Sequence, residues 1–439
     1  MLNKFLFKQI DNSGLITFRV CFGLLITLET WGAIFTGWVR RVLIEPQFTF
    51  NFIGFDFLQP LPGNGMYFYF ILMGIFGIFV MIGFKYRFSI IAFTLMWTCV
   101  YLMQKTSYNN HYYLLILICI FMCFAPAHRY LSIDVRKNPN LQKISMPQWI
   151  WLFIVFQLGI VYTFAAGAKI YPDWMDGTVG KLLLSSKSDF WLIGEVFTQK
   201  WAQTFMTYFA ILFDLLIVPL MLWKKTRFPM FILAIFFHLF NSIVFQIGIF
   251  PYLSLAFFLF FFPTKTVHKR FLSGKKYYSE GEVIIPNYKN LLITFLGIWF
   301  VVQIALPLRH WFIKDAVLWT EEGHRLSWRM MLRNKYGRSR IKIINKEKGE
   351  TKIVRLSDYL TPKQVRAVGD KPDILWQFCQ HLKSKYTDKG EEIEIYVDCR
   401  VSVNGRLMRT FIDPNVDMAK AEWHYFFHNE WILPSKLDK

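Results

Sequence analysis

The chain has 439 residues, 54% of them hydrophobic and 19% aromatic, with 47 phenylalanines. That apolar excess excludes an ordinary soluble domain. The formal charge of +20 sits between apolar runs and forms no single stripe, which excludes a nucleic-acid footprint and marks the loops of a polytopic membrane protein.

The first apolar run, Leu15–Trp38, is too long for the h-region of a signal peptide and lacks a small-x-small cleavage site, so it is expected to remain as a span. The runs that follow cover 66–84, 88–103, 112–127, 149–168, 202–223, 228–247, 251–263 and 290–306. About nine spans are therefore expected, several of them shorter than the ~20 residues of an upright crossing. Every second connection is basic: Lys4 and Lys8, then Lys85 and Arg87, then Arg129, Arg136, Lys137 and Lys143, then Lys224, Lys225 and Arg227, then 265–276. This alternation predicts a cytoplasmic N-terminus, with the connections 40–64, 104–111, 169–200 and 248–250 outside. Residues 42–62 mix five phenylalanines with polar residues and Pro46, Pro60 and Pro62, which suggests a segment resting on the membrane surface.

The pattern changes after residue 306, so residues 1–306 are expected to form the membrane domain and 307–439 a small external domain of mixed α+β, β-rich type. Arg340–Ile344 and Thr351–Leu356 alternate about a turn. Glu392–Val403 and Leu407–Ile412 flank Asn404-Gly405, the strongest short hairpin signal. Thr361-Pro362 is a helix start, with a break near Gly369 and resumption through Ile374–Tyr386. The six cysteines are scattered without metal-ligand spacing, so free thiols and no metal are expected. Cys379 and Cys399 share the external domain, but spacing does not support a disulfide between them.

Polar residues inside apolar runs need a reason. Lys169 closes the run ending Phe164-Ala-Ala-Gly-Ala-Lys169. A lysine buried there becomes a competent neutral base; the alternative is a snorkelling lysine paired with Asp173 or Asp176, and the residues alone leave the two even. Asn110 and His111 open the fourth run, and His238 and Asn241 share a helix face in the seventh. The charge pattern places Asn110, His111, His238 and Lys169 toward the same external half. Asp214, Arg19 and Glu29 read as structural groups satisfied by pairing with one another.

Eight segments, in order, resemble the vitamin K-dependent γ-glutamyl carboxylase family. They are Thr106–Leu114 (TSYNNHYYL), Ala127–Asp134 (AHRYLSID), Ala166–Trp174 (AGAKIYPDW), Phe237–Ser242 with Ile247–Pro251, Leu306–His310 (LPLRH), Ser327–Met331 (SWRMM), Ile395–Asn404 (IYVDCRVSVN) and Phe411–Trp423. The resemblance implies that Lys169 deprotonates a reduced vitamin K-type quinone, a phylloquinol or menaquinol. Reaction with dioxygen then creates a base strong enough to take a γ-proton from a protein-bound glutamate. The carbanion captures carbon dioxide, and the quinone leaves as its epoxide. It further implies that Asn110 and His111 hold the quinone oxygen or stabilise intermediates and that His238 and Asn241 line the quinone pocket. Ser327, Trp328, Met331 and Arg333 face the glutamate, Arg333 being equally well an exposed strand arginine. The partners implied are membrane lipid, the quinone and a Glu-containing protein or peptide.

The chain is shorter than the animal enzymes, and its Trp319–Gly323 stretch is more acidic. A bacterial inner-membrane protein is expected, with the C-terminal domain outside. Two other readings stand beside the carboxylase: a quinone epoxidase that modifies no glutamate, and a non-enzymatic binding or transport module. A groove in the external domain opening onto Lys169 favours the first reading, a sealed cavity the second, and a lysine turned to water beside Asp173 the third.

Overall fold

The computed structural model describes residues 2–435 and 437. The helices of the membrane domain are α1 (Ser13–Phe35), α2 (Gly65–Ile82), α3 (Tyr86–Met103), α4 (Asn110–Phe124), α5 (Trp149–Gly167), α6 (Lys200–Leu222) and α7 (Arg227–Val244). They continue with α8 (Phe250–Phe257), α9 (Thr264–Phe271) and α10 (Lys289–Leu308). Seven helices are long and apolar enough to cross a bilayer, or eight if the bent pair at 250–271 is one span. Phe88, Phe205 and Phe236 point outward, each more than half exposed, as side chains do where lipid is the solvent.

Two of the nine expected spans differ, for physical reasons. Helix α4 has only 15 residues, ~22 Å at 1.5 Å per residue, which is short of the hydrocarbon core. Leu114, Leu115, Ile118, Cys119 and Met122 are fully buried, so α4 is a core helix of the bundle. The run 251–263 breaks where Pro263 precedes α9, with a bend of 115°.

Close packing in the bundle depends on small residues. A Cβ on Gly74 would lie 2.0 Å from the Trp31 indole nitrogen, so α1 and α2 meet only because no side chain intervenes. The last span, α10, is only 17% buried. A polar ladder ties it in: Trp299 donates to Gln157 (2.9 Å) and Gln303 donates to the Tyr113 hydroxyl (3.0 Å).

Contacts gather the basic connections at one end of the bundle. Gln9–Asp11 pairs with Ser145–Pro147. Asp11 meets Lys275 at 2.6 Å with both side chains fully buried. Arg19 donates to the carbonyls of Ala127, Tyr130 and Leu131. Arg19 and Glu29 therefore do not pair with each other; Glu29 accepts from the Tyr112 hydroxyl at 2.7 Å.

At the other end sits an antiparallel sheet of β1 (Lys335–Asn345), β2 (Thr351–Val354), β3 (Ile393–Val403) and β4 (Arg409–Thr410), ordered β2-β1-β3-β4. Both expected hairpins are present. Asn404 and Gly405 take positive φ, the conformation a tight hairpin turn requires. Strand β3 alternates buried and less buried positions, and its inner face packs on α12 (Pro372–Thr387). Helix α11 (Pro362–Asp370) starts with a Thr361–Gln364 capping box. Helices α11 and α12 are divided at Lys371. All six cysteines are free, with Cys379 and Cys399 buried.

Residues 42–62 are not simply a membrane-surface segment. Phe48 and Phe50 join the core of the sheet domain, and Phe52 stacks on Tyr101 of α3. Gln364 donates to the Phe48 carbonyl (2.6 Å) and the Tyr425 hydroxyl to the Ile53 carbonyl (2.6 Å). The backbone polar groups of this loop find partners in the sheet domain, which draws it off the lipid.

The sheet and α11 touch backbone to backbone at Gly337 and Gly369. A Cβ on Gly369 would lie 2.4 Å from the Gly337 oxygen. Gly369→Ala should therefore destabilise the protein by about 1–3 kcal/mol, as overpacking does. Thermal unfolding in lipid nanodiscs measures this, and an unchanged melting temperature would refute the close approach.

Candidate active site

Helix α5 is apolar from Leu158 to Gly167 apart from Tyr162 and Thr163, and the chain then turns so that Lys169 points back along the helix. Its Nζ donates to the Ala165 carbonyl (2.9 Å) and to Asp214 Oδ2 (2.7 Å). Lys169 is 5% exposed and Asp214 8%. Asp214 stands in the middle of α6, a place where an unpaired carboxylate is too costly to keep. The pair is net neutral whichever atom holds the proton. It lies in the wall of a cavity of about 830 Å³, mouth included, whose other walls are mostly apolar: Trp174, Leu183, Met206, Phe237, Phe245, Ile247 and Phe250.

His111 enters the same cavity from the first turn of α4, its ring stacked on Phe250 with centroids 4.3 Å apart. Its Nδ1 is buried with no hydrogen-bond partner among the described residues. Asn241 lines the cavity and donates to the Phe237 carbonyl (3.0 Å). His238 sits behind Tyr162, with Nε2 and the Tyr162 hydroxyl 3.2 Å apart, and meets Phe250 edge-on.

Asn110 turns the other way. Its amide donates to the Arg329 carbonyl (3.0 Å), its oxygen accepts from the Tyr108 hydroxyl (2.8 Å), and Tyr108 in turn accepts from Leu326 N–H (2.6 Å). It thus holds the 321–334 loop against the bundle. That loop roofs the cavity with Met330 and Met331.

The remaining residues on the loop have distinct surroundings. Trp328 is 1% exposed and stacks on Tyr113. The Ser327 hydroxyl donates to the Gly323 carbonyl (2.6 Å) and accepts from Arg309 (3.2 Å). Arg333 is forked onto both oxygens of Glu321, with Lys335 3.3 Å from the same carboxylate. Burial pushes the Glu321 carboxyl up, but Arg333 and then Lys335 outweigh it and hold it below the usual carboxylate range. Burial lowers Lys335 to about 8.

Asp173, the alternative partner for Lys169, is occupied. The Arg406 guanidinium forks onto it and Asn404 donates to it at 2.8 Å. The hairpin turn of the sheet domain is thereby latched to the turn that carries Lys169. Asp214 is paired, as the sequence suggests, but its partner is Lys169 and not Arg19 or Glu29. No spacing links it to Lys169, 45 positions away, and the available signal was that a lone mid-span carboxylate needs a cation. No group of three or more His, Cys, Asp and Glu placed to hold a metal occurs among the described residues.

Comparison with known families gives two matches. Residues 7–265 match the HTTM domain, and residues 288–438 match the vitamin K-dependent gamma-carboxylase lumenal domain. The second match includes the last span, α10, so it begins ahead of the composition change at 306. No solved structure matches the chain.

Removing one member of a buried ion pair costs about 3–5 kcal/mol, whereas replacing both with apolar residues costs far less. Lys169→Met alone should therefore lower the melting temperature in nanodiscs sharply, and adding Asp214→Leu should restore most of it. A double variant no more stable than the single would contradict the pairing.

Proposed function

The chain belongs to the vitamin K-dependent γ-carboxylase family, and we propose that it couples oxidation of a reduced quinone to carboxylation of peptide glutamate, yielding γ-carboxyglutamate and the quinone epoxide. The Lys169–Asp214 pair at 2.7 Å in an apolar cavity supports the quinone half, and the lumenal-domain match over residues 288–438 carries the carboxylation half, since a cavity roofed by Met330 and Met331 suits a quinone epoxidase equally well.

The residues suit a quinol. Flat apolar walls from Trp174, Phe237 and Phe250 match its ring, and the polar atoms of Lys169, Asp214 and His111 reach the same space. The unpartnered His111 Nδ1 offers one further hydrogen-bonding atom. Bound quinol, oxidised by dioxygen, supplies the strong base that the glutamate γ-proton demands.

The chain's own part starts with the pair. Asp214 Oδ2 takes a proton from Lys169 Nζ, and the amine is then free to accept the proton of a quinol hydroxyl. The resulting ammonium stays beside the oxygen it has deprotonated and stabilises it electrostatically. Lys169 is thus the base and Asp214 its proton store; the amine does not act alone. His111 orients the ring through its imidazole, with Phe250 fixing the imidazole plane. His238 steadies Tyr162 in the wall. Asn110 works through the roof loop whose Arg329 carbonyl it holds. Met330, Met331 and the aromatic walls keep water out, which a carbanion requires. The quinol enters sideways from lipid, and the peptide arrives from the sheet domain on the external side. The chain is then an integral protein, placed by this reading in a bacterial inner membrane.

Protein in nanodiscs, given reduced vitamin K, oxygen, labelled bicarbonate and a Glu-containing peptide, should fix label into the peptide and release the epoxide. Lys169→Ala should abolish both, with partial recovery by small amines. Asp214→Asn should lower the rate by about 10²-fold or more, the scale of lost acid–base assistance. Epoxide without label would contradict the carboxylation half, and neither product would sink the whole reading.

A further inference from the structure

A groove of about 980 Å³, mouth included, opens between α4, α5 and α10. Phe121, Phe124, Phe153, Tyr288, Phe295 and Trp299 line it, with Phe121 and Phe153 stacked at 4.3 Å. It shares no lining residue with the Lys169 cavity. Phe124 ends α4 and Tyr288 precedes α10, both at the end of the bundle where the basic connections gather. Trp299 lies eleven residues beyond Tyr288, ~16 Å along a helix at 1.5 Å per residue. Half of the hydrocarbon core of a bilayer is ~15 Å deep. The groove therefore has the length of one leaflet, and α10, only 17% buried, is open to lipid beside it.

Two half-buried guanidinium groups stand past the Phe124–Tyr288 end without a carboxylate in contact. Arg87 donates to the Cys123 and Phe124 carbonyls, and both Tyr288 and Arg129 act on it electrostatically. The one acceptor of Arg129 among the described residues is the Leu141 carbonyl at 3.5 Å, and its Nε has no partner there. Asp134 is the acid of the same segment. Its oxygens accept from the N–H groups of Lys85 and Tyr86 at 2.8 and 3.0 Å, and its charge is felt by Arg19 and His128.

His128 is 7% exposed and stacks on Tyr86. Burial, then Arg87 and Arg129, lower it to about 4 against the pull of Asp134. It is therefore neutral and adds no charge of its own. These residues belong to the 127–134 motif, which the Lys169 cavity does not use.

We propose that the groove and the arginine pair form a site for one anionic phospholipid, with an acyl chain along Phe121, Phe153 and Trp299 and the headgroup phosphate on Arg87 and Arg129. A phosphate accepts charge-assisted hydrogen bonds from guanidinium groups, and basic residues at a membrane surface favour anionic lipid. The alternation of basic loops assigns this lipid to the cytoplasmic leaflet. Seated there, it completes the packing of α10, whose other end leads into the sheet domain. The proposal is independent of the carboxylase reading.

Native mass spectrometry of the full protein, released from nanodiscs of equal phosphatidylglycerol and phosphatidylcholine, counts the lipid retained. The wild type should retain phosphatidylglycerol over phosphatidylcholine by about 10- to 30-fold, the scale of two basic residues at a membrane surface. Arg129→Gln, which gives up only a 3.5 Å contact, should cut the preference to about 3- to 5-fold, and adding Arg87→Gln should abolish it. Leu291→Trp fills the groove from a position 74% exposed and should reduce retention of both lipids. Excess glycerol phosphate, a headgroup without chains, should displace neither. Equal retention of the two lipids by the wild type would overturn the proposal, as would an undiminished preference in Arg129→Gln. Displacement by glycerol phosphate would make this a free-anion site and contradict the part given to the groove.

Discussion

A charge in an apolar wall has to be neutralised, and the protein's architecture follows from how it neutralises Lys169. Asp214 on α6 meets the ammonium at 2.7 Å with both groups nearly excluded from solvent. The pair joins the turn after α5 to the middle of α6 and is one seam of that helix contact. It also leaves the neighbouring acid, Asp173, free for a different task. The Asn404–Arg406 hairpin turn closes on Asp173, so the sheet domain is latched within one turn of the catalytic candidate. Both domains therefore wall the Lys169 cavity, the sheet-domain side through Met330 and Met331 and the bundle through residues such as Phe237 and Phe250.

The loop at 321–334 is where the two domains become one machine. It is fixed by Asn110 from α4, by the Tyr171 hydroxyl at the Leu332 carbonyl, and by Trp328 stacked on Tyr113. Two of these anchors come from α4 and the third from the turn after α5. Movement of the loop would therefore be felt at α4, which carries His111, and at the turn that carries Lys169. The dispensable-looking segment 42–62 serves the same end from the other side, with its phenylalanines shared between the sheet core and α3.

Much of this was legible in the chain because the signals were local. Alternating residues about Asn404-Gly405, the Thr361-Pro362 helix start and the alternation of basic loops each state a short-range rule. The hairpin at Asn404-Gly405 and the helix after Thr361 are the expected ones. What was not legible depended on distant partners. Asp214 looked like one of three structural polar groups until α6 packed on α5. Arg333 reads in the sequence equally as a glutamate-side residue and as an exposed strand arginine, and in the structure Glu321, from the loop before it, closes on it. Asn110 shares a motif with His111, yet adjacent helix positions point about 100° apart, so His111 lines the cavity while Asn110 bonds the Arg329 carbonyl. The spans number seven or eight beside the expected nine or so, because length and a proline matter as well as apolar character.

The account stands on the quinol occupying the cavity beside Lys169 and Asp214. A quinol analogue carrying a diazirine on its ring, irradiated with the protein in nanodiscs and mapped by mass spectrometry, tests this directly. The account predicts label on Met330, Met331 and the α7 residues that wall the cavity. Label confined to the separate aromatic groove of Phe121, Phe153, Phe295 and Trp299 would contradict it.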